Sequence, residues 1–582
     1  MPFSPFDRST MPPHVFGARE IFGSQTVPLS RRREIWSQVG TKPALEMIAR
    51  LFAQLDLSVI EQRWEHVERG WCRDLQGDLG SNVRREVERG NLLLSQAGLM
   101  QCIKEIIELS NPTSESETSK GDFVLCLLGI NSDVEMAGID SPETWEELEN
   151  QSVVAEAASA SMNHNDTIET LTPVAEATWL RPWSDDLTGT TLIEDLGTGP
   201  SDVFAEVMGI DIEDFFAIGW IILKMCKEDE VVSFNEEMLR EHGLGDHAIK
   251  VFLKNCTATL DQHRRHLADS RAVADSNPWT RYRLQQTPFV RFDDGTITVL
   301  RLQNVLQRFF GDHPFLQVDF LLRQRDPLRQ KHFEGAMKHM FELRVGEVLN
   351  KISKVKKYRR KVAILNEPTM KRAWTDSSGN HPQLCDWGFA TNEHCILIDA
   401  NFRLLKQVFA EGTATIEEFD NELTEMYSEG KFQQLLSAVS ELHNRGWKQK
   451  PIVITEATQF IPLVVVPDDG VPTTWLIEAR MFRSSVEMTR PYAGVALPPA
   501  IIHWRELLVI EGLAEIRDVD VFELLIRWRF VPKIYNTLQV PFLRFVETMT
   551  PYDQPMPRRI QRAGREFALR MNRHVESLKA AA

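Results

Sequence analysis

"QLCDWGFATNEHCILIDANFRLLK", Gln383–Lys406, sets two acidic residues on what read as neighbouring strands. "LCDWGFA" and "HCILIDA" are short and apolar, and the "TNE" between them is turn-like, so the stretch reads as a β-hairpin. With the loop centred between Asn392 and Glu393, Asp386 falls opposite Asp399. Directly opposed side chains of an antiparallel pair lie about 5 Å apart at Cβ. Asp399 and Asn401 are two apart and share a face with Cys395 and Leu397. Two carboxylates facing each other on an apolar hairpin repel. A shared proton, an arginine or a hard divalent cation relieves the repulsion. A shifted register that leaves one carboxylate in solvent is the alternative, and it makes no site.

The segments on either side supply more candidates. Upstream, "AMKHMFELRVGEVLNKI" places Met337, Phe341, Val345, Val348 and Leu349 on one helical stripe, with Glu342 at its edge and Glu347 further out. A carboxylate at the border of a buried face is positioned to meet the adjoining sheet, although a helical Glu is ordinarily solvated. Downstream, "GKFQQLLSAVSEL" is amphipathic, with Phe432, Leu435 and Val439 on one side and Lys431 and Gln434 beside it. The strand "FIPLVVVP" follows. Helix, hairpin, helix and strand therefore follow one another, with acids on the first helix and on both hairpin strands.

At 582 residues the chain is too long for one core. Its apolar and charged fractions are those of an ordinary globular protein, and its net charge of −17 disfavours a uniformly basic nucleic-acid coat. A local basic groove stays compatible with that total. Seven cysteines stand singly with no CxxC, which points to reduced thiols and a cytoplasmic setting. No stretch approaches the roughly 18 apolar residues of a membrane span, so we expect no membrane partner. GxxxxGK[S/T], HExxH and GxSxG are all missing from the sequence. His381, Cys385, His394 and Cys395 lie close together, but neighbouring strand residues such as His394 and Cys395 point to opposite faces, so zinc is not expected.

Elsewhere, apolar residues at three- and four-residue spacing predict helices from Arg31 to about Leu109 and from Val203 to about Ala272. Between them, Asn131–Asp202 is rich in Asp, Glu, Ser, Thr and Ala and reads as a poorly packed acidic spacer. "TPFVRFDDGTITVLRLQNVLQRFF" predicts two short strands joined through Asp293–Asp294–Gly295, then a helix. "TWLIEARMF", Thr474–Phe482, predicts a strand before a mainly helical end.

The order of elements from Pro327 to Pro467 resembles the PD-(D/E)xK superfamily, the restriction-endonuclease-like fold. "MFELRVGEVL" is similar to its first core helix, "CDWGFATNEHCILIDAN" to its motif of an Asp followed by D/E-x-K, and "GKFQQLLSAV" to its next helix. The resemblance implies a multidomain chain in which mainly helical N- and C-terminal regions surround an α/β core, a mixed sheet flanked by helices. On that reading the parts are a helical domain (1–109), an acidic, poorly packed linker or insertion (110–202) and a helical domain with a short hairpin (203–326). The α/β domain (327–480) and a mainly helical region (481–582) complete the chain.

The resemblance also implies a nuclease acting on DNA, or on RNA, with Mg²⁺ or Mn²⁺. Asp386, Asp399 and Glu342 would hold the metal, with help from the Ala400 carbonyl. The family's lysine, which orients the attacking water and stabilises charge on phosphate, is here Asn401. Lys406 or Lys431 could supply the ammonium instead, and Gln434 falls where such helices often carry Lys or Gln.

"KISKVKKYRRK" has seven Lys or Arg in eleven residues and suits a phosphate backbone through Lys351, Lys354, Lys356, Lys357, Arg359, Arg360 and Lys361. A solvated helix end explains it equally well. "RRIQRAGREFALRMNRH", Arg558–His574, is a second basic helix suited to nucleic acid or to an acidic partner such as Asn131–Asp202. Three functions stay open: a divergent nuclease of a restriction or anti-phage system acting beside proteins encoded nearby, an inactive pseudo-nuclease kept as a DNA-binding or assembly module, and a helical scaffold.

Overall fold

The structure, a computed structural model, describes the chain except residues 1–13, 24–25, 61–63, 137–149, 151, 154–155, 158–159, 161–166, 274–281, 360, 376–380, 411–413, 449–450, 536 and 582. Helices dominate it, and two small mixed sheets are set among them. Among the described residues, the buried apolar side chains gather into four cores. The first, around Trp36, Phe52 and Phe123, is built mainly from the helices before Met136. The Gln96–Leu109 helix is typical: Ser95 accepts a hydrogen bond from Gly98 N to cap it, and Leu99, Ile103, Ile106 and Ile107 are buried.

The second core gathers residues from Ala49 to Met571 around Phe215 and Phe309. Here the reading of 110–202 as poorly packed is corrected in part. Residues Lys120–Met136 form a helix, and α1 (Ile168–Trp179) buries Leu171, Ala175 and Trp179. Trp183, Leu187 and Leu196 follow into the same core. The core partners of Ile168–Trp179 come from distant segments, among them Phe215, Phe309 and Phe567. Residues 137–149 of that segment lie outside the described residues.

A small sheet joins β1 (Ser233–Phe234), β2 (Thr257–Thr259), β3 (Phe289–Arg291) and β4 (Ile297–Val299) in the order β1-β4-β3-β2. β3 and β4 are the expected hairpin, and Gly295 takes the positive φ of 83° that its tight loop needs.

The larger sheet positions the candidate site. It comprises β5 (Ala363–Asn366), β6 (Trp387–Ala390), β7 (His394–Ala400), β8 (Gln459–Val466) and β9 (Ala500–His503), in that order. β5, β6 and β7 form an antiparallel meander, and β8 and β9 run parallel to β7. Before β5 comes α2 (Pro327–Ser353), whose start is fixed by Pro327 and by Asp326, which accepts from Leu328 N and Arg329 N. Between β7 and β8, a π-helix (Thr424–Phe432) runs directly into α4 (Gln433–Arg445), while the short α3 (Glu367–Trp374) joins β5 to β6.

Alternation along β7 divides the remaining two cores. Ile396, Ile398 and Ala400 join Val345, Val348 and Leu349 of α2 in the third core. Cys395 and Leu397 join Phe432, Leu435 and Val439 on the opposite face, in the fourth.

Two expectations fail at the end of this region. Thr474–Phe482 is no strand: Thr474 accepts from Ile477 N and caps α5 (Trp475–Thr489), burying Ile477, Met481 and Ser485 one helical turn apart. The sheet also continues past residue 480, because β9 adds a fifth strand ahead of α6 (Trp504–Arg517). All seven cysteines are free and buried. Among the described residues no helix is long and apolar enough to cross a membrane.

Candidate active site

The hairpin register follows from its turn. Ala390 pairs with Cys395 and Trp387 with Ile398, so the next pair outward is Asp386 and Asp399. Asp386 precedes β6 and is half-buried, with protein closing most sides. Its Oδ2 accepts a 2.7 Å hydrogen bond from Ala400 N, which ties it across the hairpin. Asp399 is completely buried, at 0% exposure, on the face shared with Cys395 and Leu397.

That face is covered by the π-helix and α4, which explains why Lys431 arrives there. Its Nζ stands 2.6 Å from Asp399 Oδ1. The contact is a close ion pair, and the other oxygen, Oδ2, accepts no hydrogen bond among the described residues. A π-helix is rare and occurs often at functional sites, because its wider turn re-aims side chains. Lys431 is its penultimate residue.

Charge and burial oppose each other across this group. Burial, then the Asp399 and Glu342 charges, push the Asp386 carboxyl well above its ordinary range. Burial raises Asp399 too, and the Lys431 ammonium works against that rise. For Lys431, burial opposes the charge, yet Asp399, Asp386 and Glu342 outweigh it and hold the ammonium above its ordinary value. The arrangement is a pair of raised carboxyls with one internal cation between element faces.

The other sequence candidates divide. Glu342 does not join the pair as a third close ligand. It rides on α2, which covers the opposite face of the sheet, and its Oε2 lies 3.5 Å from His339 Nδ1. Its charge is felt at Asp386 and Asp399 without contact. Lys406 is removed from the site, since its ammonium and Arg403 both pair with Glu422. Asn401 is half-buried beyond the end of β7, its backbone N donating to Val465 O at 2.8 Å. Gln434 donates from Nε2 to Leu384 O, which ties α4 to the chain leading into Asp386, so its role is to position.

Glu367, first residue of α3, was not singled out from the sequence. Its backbone N donates to Asp386 O at 2.9 Å, its charge adds to those felt at Asp399, and Lys371 holds its side chain at 2.8 Å. The "NEP" at 366–368, a capping Asn followed by an acid and Pro, was the available signal. Trp387 was likewise passed over. Its Nε1 donates to Glu342 O at 2.9 Å, and its ring lies so close to α2 that a Cβ on Gly346 would meet Cζ2 at 2.2 Å.

Mg²⁺ or Mn²⁺ suits these donors only in part. Among the described residues no three His, Cys, Asp or Glu side chains gather to hold an ion. Two facing carboxylates are present, however; Oδ1 of buried Asp399 meets the Lys431 ammonium, and its Oδ2 has no hydrogen-bond partner among the described residues. That set fits Mg²⁺, which is commonly bound through one or two carboxylates, with water and substrate phosphate completing its shell.

α2 ends at Ser353, and the basic segment beyond it is a series of turns, so it is not a helix face. Lys351, Lys354, Lys356, Arg359 and Lys361 are exposed. Lys357 is half-buried and 3.4 Å from Asp520, and Arg360 lies outside the described residues. Tyr358 is buried, its hydroxyl accepting from Val521 N at 2.7 Å, so it anchors the segment and is not free to stack on a base.

The second basic helix, α7 (Arg558–Ala581), is occupied internally. Phe567 and Met571 enter the second core. Arg570 pairs with Glu176 at 2.6 Å and His574 with Asp214 at 2.8 Å. Glu176 lies in the acidic segment expected to attract this helix, and Asp214 lies beyond it.

Comparison of the chain with family models, curated proteins and solved structures finds no match.

Proposed function

We propose that this chain acts on nucleic-acid phosphodiesters with a divalent cation, as a divergent PD-(D/E)xK-like DNA nuclease in which Lys431 replaces the lysine missing at Asn401. One observation carries the reading: the ammonium of Lys431 stands 2.6 Å from the buried carboxylate of Asp399, opposite Asp386. The order α2, β5, β6, β7, α4, β8, with β8 parallel to β7, supports it.

Asp386 and Asp399 would hold Mg²⁺ or Mn²⁺. When bound there, the cation polarises a phosphoryl oxygen and lowers the pKa of a water. Lys431 supplies a positive charge beside the carboxylates and donors that orient a water. Asp386 is kept in place by Ala400 N and by α3, and Trp387 fixes the hairpin on α2. The exposed lysines after α2 track the phosphate backbone. The helical regions supply recognition or regulation, a step taken by analogy alone.

Asn401 favours a second reading, the same fold kept for binding DNA or for assembly without turnover. Purified chain incubated with plasmid, linear and single-stranded DNA in Mg²⁺ or Mn²⁺, then with EDTA, separates the two. Cleavage that needs the cation and disappears in both Asp399→Ala and Lys431→Met supports the enzyme. Retained DNA binding with no cleavage under any of these conditions establishes the second reading and ends the first.

A further inference from the structure

We propose that the outward face of α7 and the exposed lysines at the end of α2 form one continuous track for the backbone of duplex DNA, a step that rests on the preceding reading for its class of ligand. α7 turns two different faces. Its inner face carries Phe567 and Met571 into the second core and commits Arg570 and His574 to Glu176 and Asp214. At 3.6 residues per turn, Arg558, Arg562, Arg565 and Arg573 fall within about 80° of one another on the opposite side. All four are exposed.

Among the described residues none of these four guanidinium groups pairs with a carboxylate, and Arg573 bonds only within its own helix, its Nε donating to Leu569 O. From Arg558 to Arg573 the sequence has six arginines and one acid, Glu566, which lies on the flank of the stripe. α6 joins this stripe to the lysines. The entry to α7 is seated on α6, where a Cβ on Gly512 would collide with Pro555 O. Arg558 N donates to Glu515 Oε2 at 3.0 Å, and Arg559 pairs with Glu511 at 2.5 Å. α2 packs along the same helix, and its Lys351 ammonium is close enough for its charge to act on the Glu511 carboxyl. Glu511 is buried and met by two cations, and Glu515 is engaged by the first turn of α7.

Arginine suits this ligand, because its planar fork meets phosphate oxygens two at a time. The rise from Arg558 to Arg573 is about 22 Å, the length of about six phosphates on each strand of a duplex. Single strands are held largely by stacking on aromatic rings. The track offers none, since Phe567 points inward and Tyr358 is buried. An acidic protein partner would need an apolar centre to its interface. Leu569, 62% exposed, is the one large apolar side chain on the stripe, and a single exposed leucine is ordinary for any surface. Phosphates are therefore the better match.

The test is binding without cleavage. Anisotropy of a labelled duplex, longer than the track and of arbitrary sequence, is followed with the full chain in EDTA across a salt series. Arg562→Ala/Arg565→Ala/Arg573→Ala should reduce the slope of log K against log salt by about 3. Adding Lys354→Ala/Lys356→Ala should bring the loss to about 5, because contacts along one duplex add. Lysine at the same three arginine positions should keep the parent's slope. These side chains are exposed and unpaired, so the variants should melt with the parent. An unchanged slope in the folded arginine variant overturns the proposal and leaves the stripe to solvent or to an acidic protein. A combined variant that loses no more than the arginine variant alone overturns the continuity of the track. In either case a parent that still binds the duplex keeps the preceding reading, whereas a parent that binds no DNA at any salt removes both.

Discussion

Asp386 keeps its carboxyl among apolar neighbours, and Asp399 and Glu342 add repulsion to the cost of burial. In metal-free protein both hairpin carboxyls bind a proton more readily folded than unfolded. Their contribution to stability is therefore fullest below the ordinary carboxylate pKa of about 4, and is lost as pH rises through the raised folded values. Asp386→Asn keeps an oxygen for Ala400 N and removes one charge. In EDTA at pH 7 it should be more stable than the parent by on the order of 1 kcal/mol, with the gain fading towards pH 4. Denaturant melts across that range test the sign, and a variant less stable at pH 7 would refute it. The facing carboxyls were legible because a period of two and a turn fix the register. The choice between Lys406 and Lys431 was not, since it depends on Glu422 and on which sheet face the π-helix covers.

At the level of elements, α2 approaches the hairpin because Gly346 leaves room for the Trp387 indole. Ala is the better helix former by about 1 kcal/mol, so an open site would be stabilised by Gly346→Ala. Here the added Cβ would meet the ring at 2.2 Å, and we expect a loss of about 1–3 kcal/mol, the range for overpacking. Trp387→Leu should recover part of it, a coupling that a double-mutant cycle measures. Stability unchanged or raised in Gly346→Ala alone would mean that α2 and the hairpin yield freely. The stripe of α2 and the face of α4 could be read from spacing. α5 could not: its "TWLIEARMF" carries strand-forming residues, and its helix is decided by the Thr474 cap and by the buried pairing of Glu478 with Arg529.

For the molecule as a whole, net charge hides the division of its basic residues. α7 spends Arg570 and His574 on internal acids, whereas Lys354 and Lys356 face solvent. If DNA binds along the latter, Lys354→Ala/Lys356→Ala should weaken it alike for all sequences and reduce the slope of log K against log salt by about 2. An unchanged slope would place the nucleic acid elsewhere. The boundary at 480 was illegible because β9 joins its sheet after an intervening helix. A fragment of residues 327–480 would leave β8 as a bare apolar edge, and we expect it to aggregate, while a fragment reaching residue 581 should be more soluble. Equal solubility would show that β9 is dispensable.

The burial of every cysteine gives the chain a set of internal clocks. A thiol-alkylating reagent meets none of them until its surroundings open, so each modification time reports local breathing. Cys72, Cys102 and Cys126 would time the first core, Cys226 and Cys256 the second, and Cys385 and Cys395 the side of the sheet where Lys431 meets Asp399. The core around Phe389 and Trp528 holds no thiol and stays silent.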